Sequence, residues 1–393
     1  MSTSPALDPI DLLKRLIDCP SVTPEAAGVL DLLERELGAL GFAVTRLTFE
    51  GDGSYPVDNL FATIGSGFPH LLFNGHTDVV PAGDPAMWTH PPFTATEDEG
   101  RIYGRGAADM KSGIAAFIAA AASYVANPQR RGTLSLAVTN DEEADGVNGT
   151  EKLVNWAVAQ GHKFDFAIVG EPSSSARVGD TLKIGRRGSL NGEITVTGIQ
   201  GHAAYPEKAL NPIPVAAAVV TAFKSTPLDA GTARFPPSNL EFTSIDVGNP
   251  AFNVIPAQVK LRFNIRFNDR WTPEALVEWL NKRIESVSAR GVSIAMQLPK
   301  RPSRSFISPS GGAVTILAKA VAAKTGILPD LSTSGGTSDA RFIAAHCPVA
   351  ELGLVGTSMH KVDENVPVAD VLALAELYGE FMQRFFAQPD PSA

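Results

Sequence analysis

The strongest constraint on this chain is a recurrence: one apolar run after another stops at a histidine or a carboxylate. HLLFNG runs into His76, LSLAVTN into Asp141, Glu142 and Glu143, and FDFAIVG into Glu171, while VAELGLV leads to the loop that carries His360. These runs are apolar without clear alternation and rich in branched residues, as strands buried on both faces are. Helical stretches stand between them. Asp8-Pro9 and Thr23-Pro24 each open one, the second closing at Gly41, and others cover 111–126 and about 149–160. Strands alternating with helices predict an α/β fold with a doubly wound, largely parallel sheet covered on both faces. Ligands of such sheets gather beyond the carboxyl ends of the strands, where these side chains fall.

From about residue 183 the pattern changes. SLNGEITVTG alternates like a half-exposed strand. A helix over 212–224, strands near 239–247 and 256–267, a helix opened by Thr272-Pro273 and the strand VSIAMQL complete a small α+β two-layer sandwich. After Pro302 the earlier character returns, with a helix over 311–325, the strand VAELGLV and a last helix near 369–386. The expected organisation is therefore a catalytic domain in two segments, 1–182 and 301–393, interrupted by an inserted domain over 183–300.

Composition excludes several classes. A net charge of −9 over 393 residues speaks against a nucleic-acid or anionic-membrane surface. The two cysteines, Cys19 and Cys347, make no disulfide framework. The opening MSTSPALDPIDLLKR has no apolar core of a secretory signal, and IAAFIAAAASYVA (114–126) is too short to span a bilayer and reads as a buried helix. The expectation is a cytoplasmic protein acting on a small molecule.

Of the seven histidines, His70, His90, His162 and His346 sit in contexts read as packed or surface positions. His76 differs, because Asp78 lies two residues on, on the same side of the strand end, and can accept the other ring N–H to fix the tautomer for a metal. Asp109 sits in a Gly-rich turn before a helix, a position that also suits an N-cap. Two imidazoles and three carboxylates, one of them bridging, suit a pair of Zn²⁺ ions sharing a water. Glu142 and Glu143 should point in opposite directions, so that one ligates and the other serves as general base.

The segments GHTDVVPAG (75–83), GRGAADMKSG (104–113), NDEEADG (140–146), GEPS (170–173), GRRGSLNG (185–192), GHAAYP (201–206), NVIP (253–256), SGGTSDARF (334–342) and MHKVDENV (359–366) resemble the dinuclear-zinc aminoacylase/carboxypeptidase family over nearly the whole chain. The resemblance implies that His76, Asp109 and Glu171 hold one zinc and Asp109, Glu143 and His360 the other, two Zn²⁺ per subunit with Co²⁺ able to replace them. It makes Glu142 the general base and Asp78 the residue that orients His76, and it implies a cis peptide after Asp109. The inserted domain would join two subunits as a homodimer, with His202 reaching the other subunit's site to stabilise an oxyanion.

The GRRGS, SGGTSDARF and HKVDE stretches point, within the family, to hydrolysis of N-succinyl-LL-2,6-diaminopimelate in lysine biosynthesis. Related N-acyl deacylation, as of N-acetylornithine, or dipeptide cleavage is the alternative. That succinyl substrate carries three carboxylates, for which Arg186, Arg187 and Arg266 are the candidate partners. Ser189, Asn253, Gly336 and Thr337 could add hydrogen bonds, and Gly335-Gly336 lets backbone approach a ligand closely. One departure stands out: Gly356 occupies a position where the resemblance leads one to expect an asparagine touching substrate.

Overall fold

The protein's structure, a computed structural model, describes residues 7–299 and 301–389. It divides into two compact units. One runs through Ile184 and resumes over Ser308–Ser332 and from Ser338 onward; the other comprises Gly185–Ile307 and Thr333–Thr337. The expected limit of the insert at 300 and the chain ends 1–6 and 390–393 lie outside the described residues.

The first unit is built on an eight-stranded sheet. Its order is Ala43–Gly51, Ser54–Ser66, Gly132–Thr139, His70–His76, Phe166–Val169, Val349–Glu351, Thr181–Lys183, Asp330–Ser332. The central pairings are parallel: His70–His76 runs alongside both Gly132–Thr139 and Phe166–Val169, which in turn pairs with Val349–Glu351. Ala43–Gly51 and Ser54–Ser66 extend one edge antiparallel, so the sheet is mixed with a parallel centre. All seven residues of His70–His76 are buried, as expected of a strand covered on both faces.

The Ala-rich helix Ser112–Val125 packs against the last helix, Val368–Phe386. Every residue from Ser112 to Ala121 is buried, and the small side chains let the two helices close on each other. Phe117 stacks on Phe73 at 4.0 Å and meets Tyr378 edge-on at 5.3 Å, tying the helix pair to the central strand.

The first helix, Pro9–Ile17, is capped as its sequence predicts, with the Asp8 side chain accepting from Ile10 N. The second is not. It starts at Val29, after Gly28, instead of at Pro24. The Thr23 hydroxyl that would have capped it donates to Asp78 Oδ2 at 2.9 Å instead, so the residue is spent on the functional end of the sheet.

The second unit is an antiparallel four-stranded sheet ordered Asn239–Asp246, Gln258–Phe267, Gly188–Thr197, Ser293–Gln297. Gln258–Phe267 alternates between exposed and buried, and its inner face, with Val259, Leu261, Phe263 and Ile265, packs on the helices Pro212–Lys224 and Pro273–Glu285. Asn211 and Thr272 cap those helices, each followed by proline at the first helical position.

Candidate metal centre

All four of the carboxyl-end positions come together, around Asp109. His76 closes its strand with Nε2 3.2 Å from Asp109 Oδ1 and 3.5 Å from Glu171 Oε1. His360 places its Nε2 2.9 Å from Glu143 Oε1 and 3.4 Å from Asp109 Oδ2. Asp109 therefore shows one oxygen to each imidazole. Ligands about 2.1 Å from a tetrahedral ion lie about 3.4 Å apart, so these spacings match the edges of a coordination polyhedron. The donor atoms of His76, Glu142 and Glu171 all lie within 4.8 Å of one another, and so do those of His76, Asp109 and Glu143. The donor set of imidazoles and carboxylates fits zinc-type ions.

The local electrostatics favour the same occupant. Burial, then the neighbouring Glu171, raises the Glu142 carboxyl well above its usual range, and burial, then Asp109, lifts Glu171 to about 7. Burial also works against charge on Asp109, but the two histidines overcome it and hold the carboxyl below the usual range. His360 rises to about 10, chiefly through Asp109 and then Glu143. Carboxylates crowded to this degree call for cations.

The backbone that presents Asp109 is closely fitted. The Asp109–Met110 peptide is cis. Met110 fills the space beside two glycines: a Cβ built on Gly75 would stand 2.8 Å from Met110 Cε, and one on Gly170 2.7 Å. Gly75 precedes His76, Gly170 precedes Glu171 and Met110 follows Asp109, so the backbones of these three residues meet through one side chain.

Asp78 makes a different contact from the one expected. His76 Nδ1 lies 2.9 Å from the Asp78 backbone carbonyl, while the carboxylate stands off at 3.6 Å. The carboxylate oxygens are occupied by the Glu142 and Glu143 amides at 3.0–3.1 Å and by the Thr23 hydroxyl. Asp78 still fixes the tautomer, with Nδ1 as the donor, but does so through its main chain, and its side chain holds the DEE turn.

His202 and all seven residues predicted to meet substrate belong to the second unit, whereas every predicted ligand belongs to the first. His202 is exposed on a short ribbon paired with Val254, and its Nδ1 accepts from Ala204 N at 3.0 Å. In the neutral ring the proton then sits on Nε2, free to donate. Arg187 Nη1 donates to Asn239 Oδ1 at 3.0 Å, and Arg266 Nε to Asn264 Oδ1 at 3.1 Å. Burial, then the adjacent Arg187, lowers the pKa of Arg266, which marks two cations near each other. Ser189 lies opposite Arg266 in the sheet. Asn253 is exposed, and its carbonyl accepts from Ala203 N.

Arg186 is buried with Nη1 3.4 Å from the carbonyls of Ser334 and Gly336. Gly335, with φ +110°, leaves that guanidinium room, since a Cβ there would lie 2.2 Å from Nη1. Gly335 thus accommodates Arg186, whereas a Cβ on Gly336 would meet nothing within 4 Å. At Gly356 a Cβ would come within 3.0 Å of Met359 Sδ and 3.1 Å of Pro172, so an asparagine there would require Met359 to move.

Sequence reading missed the partners that position these groups. Glu364 and Arg105, both buried, join the loops of His360 and Asp109, and Thr23 braces Asp78. Each stands inside or beside a recognisable motif, but nothing local says what it touches.

Residues 72–384 match the sequence pattern described as peptidase family M20/M25/M40. The chain is 50% identical over 392 residues to a protein named succinyl-diaminopimelate desuccinylase in Rhodopseudomonas palustris (strain BisB18), covering 98% of this chain and 100% of that one. It is 52% identical over 388 residues to one of the same name in Rhodospirillum centenum, covering 98% and 99%. Among solved structures, an M20 family metallo-carboxypeptidase from Sulfolobus solfataricus matches with a TM-score of 0.77 at 17% identity, over 97% of this chain and 100% of that one. At that identity the likeness is one of fold.

Proposed function

The chain belongs to peptidase family M20/M25/M40, and from that premise we propose that it hydrolyses N-succinyl-LL-2,6-diaminopimelate to succinate and LL-2,6-diaminopimelate, a step of lysine biosynthesis. The observation that carries the chemistry is Asp109, whose two oxygens face two different imidazoles. Half-identity over the full length to proteins named for this activity carries the substrate.

In this reading His76, Asp109 and Glu171 would hold one zinc, and Asp109, Glu143 and His360 the other, two per subunit, with Co²⁺ able to replace them. Such a pair supplies Lewis acidity toward the amide carbonyl and makes a water acidic near neutral pH. Glu142, raised in pKa by its buried setting, takes the proton from water as the oxygen bonds to the succinyl carbonyl carbon. It then passes that proton to the departing nitrogen as the C–N bond breaks, freeing succinate and the amine. Asp78 keeps His76 oriented and Glu142 in place.

His202 Nε2–H donates to the oxygen that gains charge, supplied by the other subunit of a homodimer formed through the inserted unit. Arg187 and Arg266, near each other and paired here with neutral asparagine oxygens, are suited to substrate carboxylates. Ser189, Asn253, Gly336 and Thr337 add polar contacts, and Arg186 supports the turn that bears two of them. The enzyme acts in the cytoplasm. No helix of the described residues is long and apolar enough to cross a membrane.

The test is release of succinate by the zinc-loaded protein from N-succinyl-LL-2,6-diaminopimelate, beside N-acetylornithine and a simple dipeptide. Chelator-sensitive turnover confined to the succinyl substrate is expected. Turnover of only one of the other two would replace the substrate assignment while leaving the hydrolytic centre standing.

A further inference from the structure

Glu364 is fully buried and carries no chemistry in the mechanism above. Its carboxylate nonetheless accepts from four donors. Oε2 accepts from Arg105 Nη1 at 2.6 Å and Gly106 N at 3.1 Å, and Oε1 from Ala108 N at 2.8 Å and Asp109 N at 3.1 Å. Arg105, also buried, reaches back to the Lys361 carbonyl at 3.2 Å, and Gly104 N donates to the Glu364 carbonyl at 2.9 Å. Glu364 stands four residues after His360, and the amides it gathers lead into Asp109. One side chain thus fastens the loop of one ligand to the loop of the other.

The His360 loop needs such fastening. His360 and Asp363 both have left-handed backbones, with φ of +61° and +55°, a conformation that non-glycine residues hold only where their surroundings over-determine it. Asp363 is pinned on the outside by Thr89 N and Oγ1, at 2.7 and 2.9 Å. Glu364 pins the inside. The ion pair itself argues for registry more than for stability, because taking two charges out of water offsets much of their attraction.

We infer that Glu364, with Arg105, is a positioning residue that sets the separation of Asp109 and His360, and so the affinity and geometry of the metal they share. The inference rests on the metal reading given above. Substitution of Glu364 by Gln keeps shape and volume but turns one acceptor into a donor facing either Arg105 or backbone N–H groups. Arg105→Lys keeps the charge and loses the guanidinium fork.

Zinc affinity is measured by competition with a chromophoric chelator, and the visible spectrum is recorded on the Co²⁺-loaded protein, for wild type and both variants with circular dichroism as the check of fold. Glu364→Gln should weaken zinc binding by ~10–100-fold and shift the Co²⁺ spectrum. Arg105→Lys should move both in the same direction by a smaller factor. A merely structural role would lower the melting temperature and leave the affinity and spectrum of the folded protein unchanged, and that result in both variants overturns the inference. If Glu364→Gln fails to fold, Arg105→Lys decides alone. A wild-type protein that takes up no metal would remove the metal reading itself, and the inference with it.

Discussion

The main-chain nitrogen of Glu142 lies 3.1 Å from each carboxylate oxygen of Asp78. The residue whose carbonyl orients the His76 imidazole therefore also anchors the turn that carries Glu142 and Glu143. Two candidate ligands and a candidate base are set by one buried aspartate. Thr23, from the chain's opening segment, completes its shell.

Asp78→Asn tests that arrangement. The amide group would face two N–H donors and the Thr23 hydroxyl, so one donor is left without an acceptor. The expected result is ~10–100-fold weaker zinc binding, measured by chelator competition, with turnover falling alongside it. Unchanged affinity with normal turnover would show that the Asp78 carboxylate positions nothing.

Replacement of Glu142 by Gln should separate metal from chemistry. The variant is expected to keep its zinc and lose ~10²–10⁴ in kcat, the usual cost of a missing general base. Metal analysis and steady-state rates on one preparation decide it. Near-full activity would return the proton-transfer role to another group, and loss of metal would make Glu142 a ligand.

His202 yields a test of subunit sharing. Mixed dimers of a Glu142→Gln subunit and a His202→Ala subunit hold one intact site if His202 acts across the dimer, and none if it acts within its own chain. Activity should therefore appear when two nearly inactive proteins are co-expressed. His202 is exposed and distant in sequence from every proposed ligand, so its removal should leave zinc content at the wild-type value.

At the opposite end of the strand, His70 predicts a pH dependence of stability. Burial, then the nearby His162, lowers its pKa to about 4, and Ser135 Oγ lies 2.8 Å from its Nε2. The unfolded chain takes up this proton near pH 6.5 and the folded one only near 4, so stability rises with pH across that window. Acidification from 6.5 to 4 should cost about 3 kcal/mol from this group. In His70→Gln, the slope of unfolding free energy against pH should flatten by about 1.4 kcal/mol per unit within the window. Parallel slopes in urea titrations would contradict it.

The candidate residues His76, Glu142, Glu143 and Glu171 were legible because each closes or stands just past a buried strand, where local sequence reports burial and end together. Asp8-Pro9 and Thr272-Pro273 were legible for the same reason, as their caps are local. Thr23-Pro24 has the same form but no cap, because its hydroxyl is taken by a residue 55 positions away. Glu364 reaches amides more than 250 positions distant. Such contacts exist only once the sheet has brought its loops together, and no periodicity records them. The Asp78 carbonyl was missed for a further reason, since main-chain acceptors carry no sequence signature.

The number of zinc ions bound per chain tests the central claim most directly. Metal-free protein titrated in a calorimeter should take up two equivalents, and Asp109→Ala, deprived of the carboxylate that faces both imidazoles, should retain neither at the wild-type affinity. A single equivalent in the wild type, or two undisturbed sites in Asp109→Ala, would contradict a pair of ions joined through Asp109.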